Sequence, residues 1–393
     1  MTDRRGLFAL ILAITGTGIM GNTLLAPVIP DILDEFDVGD GGAGLLIAAT
    51  SFPGIFMAPI MGVLADRFGR RRVVAPCLAT FGAFGIAAAL APTFALLLLA
   101  RFGMGIGAAG LINLAVVLIG DHWSALDRTR LIGRNAAFLT VCLALMPPIG
   151  GLLAELGGWR LALAPYGLGL VTAAVAWRLL PADRPDSSVS VRDQLAGIGA
   201  VVRRPAVVVV LIGGAASFVM IFGVFLSTLP IHLENEFGYS ASIRGLFIAI
   251  PALASTLVAF NLQRVRERLD ARRLLVASAL AFAVGFALLG ASASLAPVVI
   301  GCLVYGLGEG ALLPTLQDQA VELSPPEHRG AVVAVYVGAA RLGQTVGPLG
   351  AAAIFGATST FVALEVGAAL AVGLAVLFAV GARTRRNAVP GTA

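Results

Sequence analysis

GVLADRFGRRR, residues 62–72, sets five charged side chains between two long apolar runs: Asp66, Arg67, Arg70, Arg71 and Arg72. Charge is scarce elsewhere, since 12% of the 393 residues are charged and 58% are hydrophobic, with a mean hydropathy of +0.94. Soluble domains carry roughly 25% charged residues, so about half of the polar coat that water requires is missing. Apolar runs of about 20 residues recur along the chain, each long enough to cross a hydrocarbon core of ~30 Å as a helix. Backbone polar groups in lipid need partners within their own segment, so the runs are read as helices. The sequence is that of an all-α integral membrane protein, and GVLADRFGRRR is a loop between its second and third crossings.

Hydropathy predicts twelve spans, near 7–29, 42–64, 73–91, 94–119, 134–155, 160–180, 206–230, 242–262, 273–293, 296–319, 331–355 and 358–381. With the N-terminus inside, all but four of the 27 arginines lie in or beside cytoplasmic loops and tails. The four are Arg160 and Arg244 outside, and Arg101 and Arg341 within spans. The first outer loop holds Asp31, Asp34, Glu35, Asp37 and Asp40 and no basic residue. Basic residues collect on the cytoplasmic side of membrane proteins, so both termini are expected in the cytoplasm, and arginine without lysine suggests a GC-rich prokaryote whose plasma membrane the protein spans many times. The first apolar stretch continues to Ile29 without a small-residue cleavage site, so it is expected to be a retained span. Residues 181–205 form the long polar interval. They divide the chain into a six-helix half at 1–180, a cytoplasmic linker whose later part suits an amphipathic surface helix, and a six-helix half with a short tail at 206–393.

Composition excludes several classes. The pI of about 9.7 follows from this topology signal and gives no reason to expect nucleic acid. The chain has no lysine, so it has neither the phosphate-binding lysine of a Walker A loop nor a Schiff-base lysine. No ATP site and no cofactor are expected. Cys77, Cys142 and Cys302 each lie in an apolar run and read as small buried hydrophobes. His122, His232 and His328 are scattered without metal-ligand spacing, so no metal is expected.

The two halves repeat. FGMGIGA (102–108) matches YGLGEGA (305–311) at an offset of 203, MPPI (146–149) matches GPLG (347–350) at 201, and DRFGRRR (66–72) faces ERLDARR (267–273) at 201. PDILDEF (30–36) echoes PIHLENEF (230–237), with the Glu-Phe pair again 201 apart. Parallel six-helix repeats are a common origin of transporters, whose sites lie near mid-membrane where the halves meet.

On these motifs the chain resembles the major facilitator superfamily, in particular its 12-span drug:proton antiporters. GVLADRFGRRR is similar to the signature loop G-x-L-x-D-R-x-G-R-[RK]-x through Gly62, Leu64, Asp66, Arg67, Gly69, Arg70 and Arg71. Arg101, Gly105 and Gly107 resemble the R-x-x-x-G-x-G pattern of span 4. MPPIGG (146–151) resembles the antiporter motif G-P-x-x-G-G through Pro147, Gly150 and Gly151, with Met146 in place of the first glycine and Pro148 beside the first proline. Gly347 and Pro348 stand in its repeat copy.

The resemblance implies that Asp66 caps the N-terminal end of span 11 while the outward-open state persists, and that Arg70 pairs with Asp121. A carboxylate against a helix N-terminus contributes a few tenths to ~2 kcal/mol, enough to bias an equilibrium without locking it. The loop is then an inner gate latch; the plainer reading is that its arginines anchor a loop to anionic headgroups. Pro147 and Pro148 remove two helical donors and are expected to bend span 5. Gly103 with Gly107, and Gly306 with Gly310, make small-xxx-small faces for close helix approach.

Charges inside spans default to functional candidates. Arg101, Glu309, Arg341 and Asp31 are the candidates for proton coupling. The resemblance implies a cavity lined by spans 1, 4, 7 and 10, which makes Asn22, Asn113 and Tyr305 candidate substrate contacts. Glu309 is either the proton carrier, since burial favours a neutral carboxyl group, or the permanent partner of Arg341 at a similar depth. Asp318 terminates span 10, and Glu365 in span 12 has no assigned role.

The expected function is secondary transport by alternating access, as proton-coupled export of small amphiphilic or drug-like compounds. The alternative within the fold is a symporter or facilitator for a sugar or other metabolite, which would call for a more polar cavity. A polytopic membrane enzyme is the distant alternative, without an H-E-x-x-H motif or a Ser/His/Asp set to support it. The expected partners are a small-molecule substrate, protons and the lipid bilayer, with no nucleic acid, and the chain is expected to act as a monomer.

Overall fold

A computed structural model describes residues 4–181, 201, 203–324 and 329–381. The long polar interval read as a linker with a surface helix lies almost wholly outside the described residues. Described residues are helical, with no strand among them.

The first crossing is α1 (Arg4–Thr23), which passes through a 3₁₀ turn at Ala26–Val28 into α2 (Ile29–Glu35). Next come α3 (Gly42–Phe68) and α4 (Arg70–Ala89), separated only by Gly69 at φ 92°. That backbone conformation is accessible to glycine at little cost, which is why the charged loop turns there. The fourth crossing is α5 (Phe94–Ala108), capped by Thr93 accepting from the Leu96 N–H, followed by α6 (Leu111–His122).

α7 (Ala125–Leu163) runs through Pro147 and Pro148, and its non-helical dihedrals fall instead at Gly157 and Gly158, the latter at φ 76°. A break in the helical backbone thus falls about ten residues beyond the prolines, at two glycines. α8 (Leu168–Leu179) completes this part. α9 (Pro205–Phe218) and α10 (Thr228–Phe237) are joined by a nine-residue π-helix, Val219–Ser227. Then follow α11 (Ala241–Arg268), α12 (Ala271–Gly290), α13 (Leu295–Glu322), α14 (Arg329–Ala357) and α15 (Thr360–Gly381).

Ten helices among the described residues are long and apolar enough to cross a membrane. One of the ten is the 53-residue run Asp127–Leu179, which contains the Gly157–Gly158 break. α14, 29 residues long with Arg341 in its middle, stands outside those ten. Several helices overrun the spans read from hydropathy, as α11 does to Arg268 and α13 to Glu322. Apolar runs mark only the lipid-immersed length, whereas the helix itself continues into water on Arg, Gln and Glu. Large apolar side chains such as Leu90, Leu99, Leu156, Leu257 and Phe260 are exposed, a surface suited to lipid rather than water.

The chain divides into two compact units, Met1–Ser188 with Leu233–Ala249, and Val189–His232 with Ile250–Ala393. Within the first, α4 packs on α5 and α8, and α1 packs on α7; within the second, α12 packs on α13 and α15, and α14 packs on α9 and the π-helix. The third helix of each half thus meets its fourth and sixth, and the first meets its fifth.

Side-chain detail follows the same duplication. Arg71 lies over the Trp177 ring at 4.8 Å, and Arg272, 201 residues later, donates to the Ala379 carbonyl. Each arginine reaches the last helix of its own half. Glycine contacts correct the register expected for the fourth helices. A Cβ on Gly107 would stand 2.5 Å from the Cys77 carbonyl on α4, and one on Gly308 would stand 2.7 Å from the Ser278 carbonyl on α12. Likewise Gly105 abuts the Thr50 carbonyl and Gly306 the Pro251 carbonyl. Both glycine pairs and both carbonyl pairs are 201 apart, so the offset of 203 between the glycine motifs is a slip of two residues, invited by alternating glycines. Arg101 then corresponds to Cys302, and Glu309 to Ala108.

Candidate functional site: buried charges and gate motifs

Arg101 on α5 is fully buried. Its Nε donates to the Leu46 carbonyl at 2.6 Å, Nη1 to the Gly21 carbonyl at 3.2 Å and Nη2 to Asn22 Oδ1 at 2.8 Å. Tyr166 donates to the same Gly21 carbonyl at 2.9 Å. Among the described residues no carboxylate pairs with Arg101, so a full positive charge rests on carbonyl and amide dipoles. Asn22 is 9% exposed, and its oxygen is engaged by this guanidinium. The arrangement binds α1, α3 and α5 together; as a substrate contact Asn22 offers little free surface. Asn113 on α6 is exposed.

In the GVLADRFGRRR loop, Arg70 is held between two carboxylates, Nη1 at 2.5 Å from Asp66 Oδ1 and Nε at 3.0 Å from Asp121 Oδ2. Asp66 keeps 63% of its side chain exposed against 17% for Arg70, so the aspartate retains free oxygen to accept another partner. Arg67 lies against the Phe68 ring. Gly62 faces open space, with nothing within 4 Å of where a Cβ would stand. In the second unit the corresponding end of the helices uses a different cation: Arg266, on α11, pairs with Asp318. Position 271, equivalent to Arg70, is alanine, while Asp270 caps α12 by accepting from the Arg273 N–H at 2.7 Å.

The proline motifs face irregular stretches of the first helix in each half. Gly150 abuts the Leu24 carbonyl, where α1 gives way to the 3₁₀ turn, and Thr23 donates to Met146 Sδ at 3.3 Å. Gly151 abuts the Ala241 carbonyl and Gly245 the Pro147 carbonyl, both within the first unit. In the second unit Gly347, in the sequence Gly347-Pro348, packs on Gly223 and Val219 of the π-helix. π-Helical insertions commonly mark functional segments. Here Ser227 and Thr228 both donate from their hydroxyls to the Gly223 carbonyl, at 2.5 and 3.1 Å.

Glu309 on α13 makes no ion pair within the described residues, whose salt bridges join other partners. Arg341 donates to Gln344 Oε1 at 3.0 Å, one turn along α14. The structural pair that equal depth suggested between Glu309 and Arg341 is therefore not made. Depth along two helices fixes height, not facing. Tyr305 is also placed differently from a cavity contact. It is 1% exposed and stacks on Phe225 and Phe282 at 4.4 and 4.6 Å, where its hydroxyl has no hydrogen-bond partner. Stacking on α12 turns the ring inward. Glu365 rests beside Gly290, and nothing further in the structure explains it.

Sequence reading missed a second arginine held between two carboxylates. Arg244 on α11, 1% exposed, pairs with both Asp31 and Glu234 and donates from Nε to the Pro27 carbonyl at 2.8 Å. Arg160 pairs with Glu35, which also accepts from Trp159 Nε1 at 2.5 Å. The signal was available: of the four arginines set apart from the cytoplasmic clusters, Arg160 and Arg244 are the two placed outside, and both answer the acidic first outer loop. Asn135, which accepts from Thr15 at 2.8 Å between α7 and α1, carried no comparable signal. No group of three or more metal-ligating side chains occurs among the described residues.

Comparison with known proteins sets this geometry in a family. The family model of the Major Facilitator Superfamily matches residues 10–259 and 211–392. The Bacillibactin exporter of Bacillus subtilis (strain 168) is 25% identical over 342 residues, 84% of this chain and 85% of that protein. The class B Tetracycline resistance protein of Escherichia coli is 27% identical over 355 residues, 88% and 87% of the two chains. Among solved structures, a bacterial homologue of the human lysosomal transporter Spinster superposes with a TM-score of 0.80 at 18% identity, covering 99% of each chain. The nucleoside transporter NupG superposes at 0.74 with 14% identity, over 98% of this chain and 100% of that one. Both structural likenesses speak to fold. With a family model matched along nearly its whole length, the chain belongs to the Major Facilitator Superfamily.

Proposed function

We propose that the protein is a proton-coupled exporter of small amphiphilic or drug-like compounds, working by alternating access between two six-helix halves at about 1–180 and 206–393. The observation that carries this reading is Glu309: a carboxylate midway along a membrane helix, without an ion pair among the described residues. A group of that kind takes up and releases a proton without first breaking a salt bridge. Relatives named for bacillibactin export and tetracycline resistance match over most of their length, which supports export and an amphiphilic substrate.

In this reading the ten crossing helices, the Gly157–Gly158 break and α14 together make twelve spans, with both termini in the cytoplasm of a prokaryotic cell. Asp66, Arg70 and Asp121 form the inner gate latch, Asp66 keeping an exposed oxygen for a further donor. Asn113 is the most accessible of the three polar candidates for touching substrate, and the Pro147–Gly151 and Gly347–Pro348 segments bend the helices that carry them. The protein needs no cofactor, draws on the proton gradient and acts as a monomer.

The test is accumulation of a compound panel, including tetracycline and a catecholate siderophore, in cells with and without the gene. At least one compound is expected to accumulate less in expressing cells, with the difference abolished by a protonophore. Enhanced uptake of a sugar or nucleoside instead would favour the symporter alternative.

A further inference from the structure

Arg244 sits unevenly among its partners. Its own side chain is 1% exposed, whereas those of Asp31 and Glu234 are 39% and 31% exposed. Asp31 comes from α2 and Glu234 from α10, and the Pro27 carbonyl of the 3₁₀ turn takes Nε. Two further carboxylates face the cluster: Asp34 on α2 acts on Asp31 and Glu234, and Glu155 on α7 acts on Arg244. Glu155 also accepts from the Ser242 N–H at 3.3 Å. Nearby, Asn235 donates to Asp40 at 3.1 Å. Residues Leu233–Ala249 belong to the first unit although the chain on both sides of them belongs to the second. Arg244 is the charged group that ties this segment to α2 and the 3₁₀ turn.

We propose that Arg244 with Asp31 is a proton-sensitive clasp, which holds residues 233–249 against α2 while Asp31 is ionised and releases them when Asp31 and Glu234, the counter-charge carried by the segment itself, are protonated. The physical reason is the asymmetry of burial. Water and protons reach the carboxylates, but the guanidinium cannot hydrate where it lies. Neutralising the acids leaves a buried cation without counter-charge, an arrangement far costlier than losing an exposed pair. Arg101 meets that cost with three neutral acceptors; Arg244 would be left with the Pro27 carbonyl, so the cost is relieved when Arg244 moves to water and the helix start that carries it moves with it. The sign follows: docking is complete at neutral pH and fails as the pH falls. Asp34 and Glu155 form no ion pair with Arg244; Glu155 does bind the segment through the Ser242 N–H, a bond that an amide oxygen at 155 also accepts.

The clasp deepens the reading of the chain as proton-driven, and its test does not need a substrate. Hydrogen–deuterium exchange of the full-length protein in lipid nanodiscs is measured from about pH 8 to about pH 5 and corrected for intrinsic chemical exchange. Amides of residues 241–249 are expected to lose protection roughly tenfold or more as pH falls, while those of α4 keep theirs. Asp31→Asn with Glu234→Gln is expected to deprotect 241–249 at every pH, and Glu155→Gln to leave the pH response intact. Arg244→Gln removes the cation and is expected to abolish the pH response, so the proposal remains testable if the double variant does not fold. Protection of 241–249 that ignores pH in the wild type, or a pH response that survives in Arg244→Gln, overturns the clasp. A pH-insensitive segment in a protein that still exports on a proton gradient sinks the clasp alone. An intact clasp response with gradient-independent transport sinks the coupling reading alone.

Discussion

Arg101 donates from Nη2 to Asn22 Oδ1 across 2.8 Å, joining α5 to α1 through a charge with no paired carboxylate among the described residues. The planar guanidinium serves three acceptors on two helices at once, the carbonyls of Leu46 and Gly21 and the Asn22 amide. An ammonium keeps the charge but not the fork. Arg101→Lys is therefore expected to impair transport nearly as much as Arg101→Ala. Both variants leave buried acceptors unpaired and are expected to lower stability by about 1–3 kcal/mol, read as a fall in melting temperature in detergent. Near-normal transport and stability in the lysine variant would show that charge alone suffices.

Asp66 and Asp121 share Arg70, but only Asp66 keeps most of its side chain exposed. Loss of Asp66 as a latch acts on the conformational equilibrium rather than on the fold. Asp66→Asn is expected to slow transport several-fold and leave melting temperature within about a degree, since exposed pairs contribute about 0–1 kcal/mol. Cysteine accessibility from the two membrane faces should shift towards the inward-open pattern. Unchanged accessibility and rate would reduce the loop to a topology anchor.

Gly107 and Gly308 meet the carbonyls of Cys77 and Ser278 at distances a Cβ cannot occupy. Gly107→Ala and Gly308→Ala are each expected to push a helix pair apart, costing about 1–3 kcal/mol as overpacking. Gly62→Ala, which meets nothing, is expected to leave stability unchanged. Thermal unfolding of the three variants checks the contrast, and equal losses would contradict the close packing at Gly107 and Gly308.

Much of the fold was legible in the chain because bilayer thickness and backbone satisfaction leave so few solutions for runs of this length. The repeat was legible at DRFGRRR and MPPI, where rare residue types fix the register. It slipped by two at FGMGIGA, where glycines at alternate positions match equally well in several registers. Site geometry was less accessible. Equal depth of Glu309 and Arg341 suggested a pair, yet Arg341 donates to Gln344 instead, and hydropathy carries no rotational information. The Arg244 cluster depends on residues more than 200 positions apart in sequence, Asp31 and Arg244. Only the isolation of two arginines from the cytoplasmic clusters hinted at it.

The central claim is that a proton on Glu309 is exchanged for substrate. The most direct measurement is transport driven by an imposed pH gradient in everted membrane vesicles, comparing wild type with Glu309→Gln, alongside substrate binding to both. The variant keeps shape and cannot carry the proton. It is expected to fold and bind as the wild type does while gradient-driven transport falls about a hundredfold or more, the scale on which a positioned proton-transfer group acts. Gradient-driven transport by Glu309→Gln at the wild-type rate would contradict the account.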